Sequence, residues 1–201
     1  MTTSPVQEST LRRKRGRPRD PGVESAALGA ARMLLIERGM AGCTIAAVAQ
    51  TANVGKGTIY LRWPDKESLV VDAIAEGLAD LPHPDTGSVR SDLIEIAETV
   101  AEGLRGDRGA LFAATIAELP RYPKLQALYD DRVLEPVVDI LHEILARGAR
   151  RLEVRPVHDV RLITNMVFGP MFTHLIMWHG TIPADLVPNV VDVAMEGLRP
   201  R

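Results

Sequence analysis

The 201-residue sequence has only one cysteine, Cys43, and no long uncharged apolar run. A single cysteine cannot form an internal disulfide, so we expect a reducing compartment, the cytoplasm, with Cys43 a small buried residue rather than a redox sensor. Short apolar runs argue against a membrane span, which needs about 20 apolar residues. The N-terminus is polar and then basic, unlike a secretory signal. We therefore expect no contact with a membrane.

The sequence also lacks the compact motifs by which many enzymes are recognised. It has no His-Glu-x-x-His, no Gly-x-Ser-x-Gly, no phosphate-binding glycine loop and no cysteine–histidine spacing typical of metal sites. His174 and His179 are five residues apart, so a helix would turn them away from a common face. We therefore expect no catalytic activity, no metal and no cofactor.

Strand signals are missing as well. No useful stretch alternates apolar and polar residues, and no Asn-Gly turn joins two such stretches. The long segments follow the helical period instead. In the C-terminal half they predict helices at about 88–105, 108–118, 123–149, 157–179 and 184–198. Pro136 and Pro170 fall inside two of these and are expected to kink or break them.

Charge is divided unevenly along the chain. Residues 1–66 contain 11 Lys/Arg and 5 Asp/Glu, which gives them a net charge of +6. Because the whole chain carries −2, the remaining 135 residues carry −8. A basic segment attracts polyanions, whereas an acidic segment repels them. The charge distribution therefore predicts a nucleic-acid-binding part followed by a part with another role.

Breaker residues indicate where the chain divides. Residues 1–19 are polar and then basic, and we expect them to form a disordered arm. Asp20 and Pro21 are suited to begin a helix that Gly39 ends. The run Leu-Pro-His-Pro-Asp-Thr-Gly at 81–87 predicts the boundary between a first domain, 20–81, and a second, 82–201.

Between residues 44 and 69 the sequence predicts two short helices joined by a tight turn. Thr44 is suited to cap the first helix, the turn falls at 53–55, and Pro64 ends the second helix. Asp65 is suited to cap a further helix, from 66 to about 81. Two short helices joined in this way are typical of the helix-turn-helix unit, whose second helix enters the major groove of DNA.

The same stretch resembles the DNA-binding domain of the TetR family of bacterial transcriptional regulators. The family pattern is roughly Thr-x-x-x-Ile-Ala-x-x-Ala-Gly-Val-Ser-x-Gly-Thr-Leu-Tyr-x-x-Phe-x-x-Lys-Glu-x-Leu. Matches in one register are Thr44, Val48, Ala49, Ala52, Val54, Gly57, Thr58, Ile59, Tyr60, Lys66, Glu67 and Leu69. The chain departs from the pattern at Asn53 for Gly, Gly55 for Ser and Trp63 for Phe. We expect Ile59 and Trp63 to face the core, with contact to DNA as the alternative for Trp63. The resemblance implies an all-α fold of about nine helices, with an N-terminal three-helix helix-turn-helix domain and a C-terminal helical bundle.

The resemblance also implies which residues contact double-stranded DNA. Lys56 and Thr58 lie near the base-contacting end of the recognition helix, and Gly57 leaves room for the DNA backbone. Leu61 either touches a thymine methyl or makes no contact. The alternative for the basic residues is a solvated face. The predicted DNA contacts in this stretch are Thr44, Lys56, Gly57, Thr58, Tyr60, Leu61, Arg62 and Lys66.

The basic arm has a motif of its own. Arg15-Gly-Arg-Pro-Arg19 resembles the core of an AT-hook, an extended segment that lies in the narrow minor groove of A·T-rich DNA. Gly16 and Pro18 favour the extended path, and the guanidinium groups of Arg15, Arg17 and Arg19 are attracted by the negative potential there. The alternative is a tail that binds phosphates without sequence preference.

For the second domain the resemblance implies dimerisation and ligand binding. The last two helices carry an apolar stripe wider than one core face needs, so we expect a homodimer through them and hence a palindromic operator. Methionine and aromatic residues predict a cavity for a hydrophobic small-molecule effector, although the same pattern also occurs in plain cores. Predicted ligand-binding residues are Phe112, Ile116, Tyr129, Met166, Met171, His174 and Trp178.

These patterns favour a sequence-specific DNA-binding regulator, a repressor that a small hydrophobic ligand releases from its operator. The main alternative is an architectural DNA-binding protein that uses the arm and needs no effector. A third hypothesis, a carrier of small molecules, does not account for the basic arm.

Overall fold

The computed structural model describes residues 21–76, 81–178 and 181–200, and all regular structure in them is helical. The α-helices are α1 (Pro21–Gly42), α2 (Ile45–Thr51), α3 (Lys56–Tyr60), α4 (Lys66–Ala75), α5 (Val89–Gly103), α6 (Asp107–Ile116), α7 (Pro123–Tyr129), α8 (Glu135–Arg150), α9 (Val160–Met177) and α10 (Leu186–Leu198). A π-helical turn, Asp130–Leu134, joins α7 to α8 without a break. If α7, the π-helical turn and α8 are counted as one continuous helix, the described residues form nine helices, which confirms the predicted all-α class.

Helices α1 to α4 pack around a small apolar core. The buried side chains follow the helical period expected of a face turned inward, and they include Leu28, Leu34, Val48, Ile59 and Leu69. Within α1 the helical backbone is interrupted at Gly39, whose φ of 63° suits glycine. The first helix therefore changes direction at the residue where the sequence predicted its end.

Two of the three predicted N-caps of this region, Thr44 and Asp65, are confirmed, and the third, Asp20, lies outside the described residues. Thr44 Oγ1 accepts a hydrogen bond from the Ala47 backbone N–H at 3.1 Å, at the start of α2. Asp65 Oδ1 accepts one from the Ser68 backbone N–H at 2.9 Å, at the start of α4. Each side chain satisfies a backbone donor that the first turn of a helix leaves unpaired. Helix α4 ends at Ala75, and residues 77–80, in which we expected it to continue, lie outside the described part.

Helices α5 to α10 form the C-terminal bundle. Helix α8 packs against α5 and α9, and α10 packs against the same two helices. The two prolines behave differently from each other. Pro136 is the second residue after the π-helical turn, so the predicted local distortion is present, whereas α9 runs through Pro170 without ending. A proline lacks the N–H of an α-helical bond and crowds the carbonyl four residues earlier, which the wider π turn accommodates.

The segment between the two parts is tied to the bundle. Asp92 is fully buried in α5, and its Oδ1 accepts hydrogen bonds from the Thr86 backbone N–H at 2.7 Å and hydroxyl at 2.6 Å. Arg147 of α8 donates to the Pro84 carbonyl and holds its Nη2 3.6 Å from Asp92 Oδ2. Residues 84–86 are therefore held against α5 and α8.

The first four helices also contact the C-terminal bundle directly. Helix α1 packs along α6, and α4 packs along α7 and the π-helical turn. Ion pairs cross the second contact, from Asp65 to Lys124 and from Asp72 to Arg132. Helix α4, which follows the helix-turn-helix unit, is therefore linked to α7 and the π-helical turn by packing and by ion pairs.

Candidate nucleic-acid interface and internal cavity

The turn between α2 and α3 is a left-handed helix cap centred on Asn53. Asn53 has φ 53°, its backbone N–H bonds to the Gln50 carbonyl at 3.2 Å, and the Val54 N–H bonds to the Ala49 carbonyl at 2.9 Å. These two bonds satisfy carbonyls that the end of α2 leaves unpaired. Asparagine tolerates the left-handed conformation better than other non-glycine residues. The departure from the Gly of the family pattern thus preserves the turn.

Helix α3 exposes a continuous face. Lys56, Gly57, Thr58 and Tyr60 are exposed, and Leu61 just beyond the helix is 86% exposed. Ile59 is buried on the opposite side and anchors the helix to the core, as the sequence predicted. A five-residue helix cannot be stable by itself, so its position depends on this anchor and on Trp63. The structure therefore presents five of the predicted DNA-contacting residues together at the surface.

Gly57 stands out within this face. A Cβ built on Gly57 would meet nothing within 4 Å, and its φ does not lie in the left-handed range. Within the described residues, neither packing nor backbone geometry therefore requires glycine at this position. A helical glycine costs about 0.5–1 kcal/mol relative to alanine. A glycine that the fold does not need is consistent with close approach of something outside the protein.

Trp63 connects the recognition helix to α4. Its ring is buried, as predicted, and Nε1 donates a hydrogen bond to Asp72 Oδ2 at 2.8 Å. The other oxygen of Asp72, Oδ1, accepts a hydrogen bond from Arg132 Nη1 at 2.5 Å in the π-helical turn. One carboxylate thus joins the end of the helix-turn-helix unit to the C-terminal bundle.

Two predicted DNA contacts are engaged within the protein. The Arg62 side chain is only 15% exposed, with Nε 3.6 Å from Glu24 Oε2 on α1. Lys66 Nζ donates to the Met40 carbonyl at 3.2 Å, near the C-terminal end of α1, and lies 5.1 Å from the ring centroid of Tyr122. A cation is favoured both by carbonyls at a helix C-terminus and by an aromatic face. The sequence motif did not reveal these partners because all three are distant along the chain.

The remaining predicted DNA contacts fall into two groups. Thr44 is exposed at the start of α2, with its hydroxyl oxygen engaged as the helix cap. Arg15, Arg17 and Arg19 lie outside the described residues.

The surroundings shift the pKa values of two titratable groups near the helix-turn-helix unit. Burial alone would raise the pKa of Asp65, but hydrogen bonds from Lys124 and Ser68 outweigh it and hold the pKa below its ordinary value. Burial raises the pKa of the Cys43 thiol to about 11, with the charge of Lys66 opposing the rise. Cys43 is fully buried and stays protonated at neutral pH, as expected of a packing residue.

A cavity of about 400 Å³ lies between the C-terminal bundle and helices α1 and α4. Phe112 and Phe172 stack in its wall with ring centroids 4.8 Å apart, and Tyr129 lies 6.2 Å from Phe112. Burial raises the pKa of Tyr129, with the nearby Asp130 adding to the rise, so the phenol remains neutral. The lining residues are Arg32, Ala73, Ile74, Glu76, Val100, Gly103, Leu104, Arg108, Leu111, Phe112, Tyr129, Val133, Leu134, Val137, Thr164, Asn165, Phe168 and Phe172.

Of the seven predicted ligand-binding residues, Phe112 and Tyr129 line this cavity. Ile116 and Met171 lie elsewhere in the bundle, with Met171 wholly buried. Met166, His174 and Trp178 line a shallow groove on the outer side of α9 instead. The predicted residues differ from those that line the cavity because residue type and helical spacing do not show which side of an apolar helix faces a cavity. Sequence reasoning missed Arg32, Arg108, Thr164 and Asn165, for which no local motif exists.

The outer faces of α9 and α10 are unusually apolar. Leu162, Ile176 and Met177 are half or more exposed, Trp178 is 58% exposed, and Val193 on α10 is 68% exposed. His174 packs edge-on against Trp178 with ring centroids 4.5 Å apart. Exposed apolar groups that recur at helical spacing are typical of a surface that another molecule covers.

Helix α9 is long and apolar enough to cross a membrane by length and composition, the one such helix in the described part of the chain. It packs against α6, α8 and α10, and a helix in the core of a bundle passes the same test.

Comparison with known proteins accounts for both parts. Residues 27–73 match the family described as bacterial regulatory proteins, tetR family, and residues 83–194 match the tetracyclin repressor-like C-terminal domain. This chain is 31% identical to the uncharacterized HTH-type transcriptional regulator YdeS of Bacillus subtilis. The match covers 94% of this chain and 96% of the length of YdeS.

Solved structures agree with this assignment. The TetR family transcription regulator SCO0332 has a TM-score of 0.69 and 26% identity, over 89% of this chain and 99% of its own. The regulator FadR from Bacillus subtilis, solved with stearoyl-CoA, shares the fold at a TM-score of 0.64 and 22% identity, over 87% of this chain and 99% of its own. The chain belongs to the TetR family of transcriptional regulators.

Proposed function

We propose that this protein is a homodimeric repressor that binds a palindromic operator through α3 and leaves it when a ligand fills the cavity of the C-terminal bundle. The observation that carries the proposal is the exposed face of α3, which is held in place by Ile59 and Trp63 and offers Lys56, Thr58 and Tyr60 to the outside. In a helix-turn-helix protein this face lies in the major groove.

Each side chain on that face has a distinct chemistry for DNA. Thr58 offers a methyl to a thymine and a hydroxyl to a base edge, which is direct reading of sequence. Lys56 and the Tyr60 hydroxyl are suited to phosphate oxygens, which fix the position of the helix without reading sequence. Gly57 permits the backbone of α3 to approach the duplex. Arg62 and Lys66 contribute less directly, because each is engaged by protein groups.

Dimerisation is supported by the outer faces of α9 and α10. Covering Leu162, Met177, Trp178 and Val193 against the same residues of a second copy would remove a large apolar area from water. Such a twofold dimer would carry two α3 helices to two half-sites. We infer a palindromic operator from this symmetry.

Release by a ligand is supported by the contacts around the cavity. Val133 and Leu134 of the π-helical turn line it, and Arg132 between Tyr129 and these residues is bonded to Asp72 of α4. A ligand that prefers a different position of this turn would shift α4 and, through Trp63, the recognition helix. FadR from Bacillus subtilis, which shares the fold, was solved with stearoyl-CoA. We propose a ligand with an apolar body for this cavity also.

The proposal extends to the rest of the chain. We assign residues 20–81 to DNA binding and 82–201 to ligand binding and dimerisation, and we place the protein in the cytoplasm, where its operator lies. The arm, 1–19, would add contacts through Arg15, Arg17 and Arg19 in the minor groove. Its removal would then weaken binding most on A·T-rich flanks, whereas an equal loss on all flanks would mean phosphate contacts alone.

The experiment is a selection of bound sequences from random duplex DNA with the full-length protein at two salt concentrations. We expect one palindromic site with two half-sites about one helical turn, or a multiple of it, apart. Lys56→Ala should weaken binding and reduce the salt slope by about 1.8, because a dimer loses two phosphate contacts at about 0.9 each. Arg105→Ala, which removes an exposed positive charge after α5, is the matched control and should leave both unchanged. Broad occupancy without a preferred site would refute the repressor and favour the architectural hypothesis.

A further inference from the structure

The cavity of the C-terminal bundle ends at two arginines from different parts of the molecule. Arg32 belongs to α1 in the DNA-binding part, and Arg108 belongs to α6 in the bundle. Both line the cavity, and both also line a shallow groove on the outer side, together with Met33 and Glu37 of α1. The two arginines therefore lie at the mouth, where the cavity adjoins the outer groove.

Within the part of the chain that the structure describes, only one of the two arginines at the mouth is paired with a carboxylate. Arg32 is bonded to Glu76, the residue that follows α4. Among the described side chains, Arg108 has no hydrogen-bonded or ion-paired carboxylate, although Glu37 lies in the outer groove. Burial lowers the pKa of Arg32, and the charge of Arg108 lowers it further, as expected for two cations held near each other. An anion placed between them would reduce the repulsion between these like charges.

The interior of the cavity has the opposite character. Its walls are mostly aromatic and aliphatic and include Phe112, Phe168, Phe172, Val133 and Val137. Of its polar groups, the Thr164 hydroxyl already donates to the Val160 carbonyl at 3.0 Å. Sites of this kind bind ligands whose apolar body is buried and whose few polar atoms meet fixed partners.

We propose that the cavity binds an amphiphilic anion, with its apolar body among the three phenylalanines and its carboxylate or phosphate head between Arg32 and Arg108. This assignment rests on the proposed function of the cavity as the effector site and specifies the chemical class of the effector. Guanidinium groups match carboxylate and phosphate oxygens in geometry and charge, and partial burial strengthens such contacts.

The position of Arg32 gives the anion a direct route to the DNA-binding part. The Arg32–Glu76 ion pair joins α1 to the end of α4, the two helices that flank the helix-turn-helix unit. An anionic head would compete with Glu76 for Arg32 and weaken that link. The ligand therefore changes the preferred arrangement of α1 and α4 by its preference for one state.

The test uses three probes with the same ten-carbon chain: decanoate, decanol and decylammonium. Binding to the full-length protein is measured by calorimetry below the aggregation limit of each probe. We expect decanoate to bind at least about tenfold more tightly than decanol, because only the carboxylate forms charged hydrogen bonds with the two arginines, and decylammonium to bind most weakly. Decyl phosphate in a fourth arm distinguishes a phosphate head from a carboxylate head.

Two variants locate the effect. Arg108→Gln, an exposed position where folding is not at stake, should abolish the advantage of decanoate over decanol while decanol binding is retained. Arg105→Gln is the control, because it removes an equal charge three residues away outside the cavity. Equal affinity for decanoate and decanol, tighter binding of decylammonium, or no binding of any probe would overturn the inference. Operator affinity in the same samples separates the two proposals: release by decanol alone would uphold the repressor and refute the anionic head.

Discussion

The exposed face of α3 and the cavity of the bundle differ in how their residues come together. The α3 face is formed by neighbouring residues within 56–61, and two nearby buried side chains, Ile59 and Trp63, hold it in place. The cavity draws its lining from α1, α4, α5, α6, α7, α8, α9 and the π-helical turn. A surface for DNA can thus be encoded in a short stretch, whereas a ligand site depends on the packing of most of the chain.

The largest effect on operator affinity is expected from loss of the proposed dimer, because the bundles hold the two α3 faces together. Val193→Asp would place two carboxylates against each other across the proposed twofold axis, and at 68% exposure Val193 contributes little to the monomer core. We expect a monomer, with operator affinity reduced about 10²–10⁴-fold because the two half-sites are no longer bound together. Sedimentation and operator titration measure the two quantities.

Leu152→Asp is the control for that experiment. Leu152 is also an exposed apolar residue, it lies beyond α8, and its φ of 59° is one that aspartate tolerates. This variant should remain dimeric and bind operator normally. A dimeric Val193→Asp protein would show that the α9 and α10 faces do not form the interface.

A smaller effect should appear where the two regions are joined. Asp72→Asn keeps an oxygen acceptor for Trp63 Nε1 but loses the ion pair with Arg132. We expect operator affinity to change little and the ligand-induced loss of affinity to shrink several-fold, out of the roughly 5–150-fold that such coupling commonly spans. Glu135→Gln, which breaks the ion pair with Arg161 inside the bundle, is the control. If the ligand lowers the operator affinity of Asp72→Asn as much as that of the unmodified protein, the Asp72–Arg132 ion pair does not transmit the effect of the ligand.

The smallest effect concerns stability at low pH. The folded state holds the pKa of Asp65 below its ordinary value, so it favours the carboxylate. The stabilisation is therefore present above the unfolded pKa, about 3.9, and is lost as the pH falls through the lower folded value. Asp65→Asn retains a good helix cap but no charge for Lys124. Thermal unfolding should show a variant that is slightly less stable at pH 7 and less sensitive to acid; a pH dependence identical to that of the unmodified protein would contradict the assignment.

The structural features that could be predicted from the sequence are those that depend on residues close together in the chain. The helical class, the caps at Thr44 and Asp65, the turn at Asn53 and the buried Trp63 follow from local chemistry that a motif reveals. Longer-range features were not predictable in the same way. The engagement of Arg62 by Glu24, the contact of Lys66 with Tyr122 and the Arg32–Arg108 pair all join distant positions. For the same reason Met166 and Trp178 were assigned to a cavity although they lie on the outer side of α9.

The most direct measurement of the central claim is the operator affinity of Gly57→Ala beside its melting temperature. The added methyl group meets no protein atom within 4 Å and removes a helical glycine, so the melting temperature should hold or rise. If α3 lies against the duplex as proposed, the same methyl group occupies space that DNA needs, and affinity should fall at least about tenfold, at a cost of roughly 1.4 kcal/mol. Unchanged affinity in a folded, dimeric Gly57→Ala protein would contradict the account.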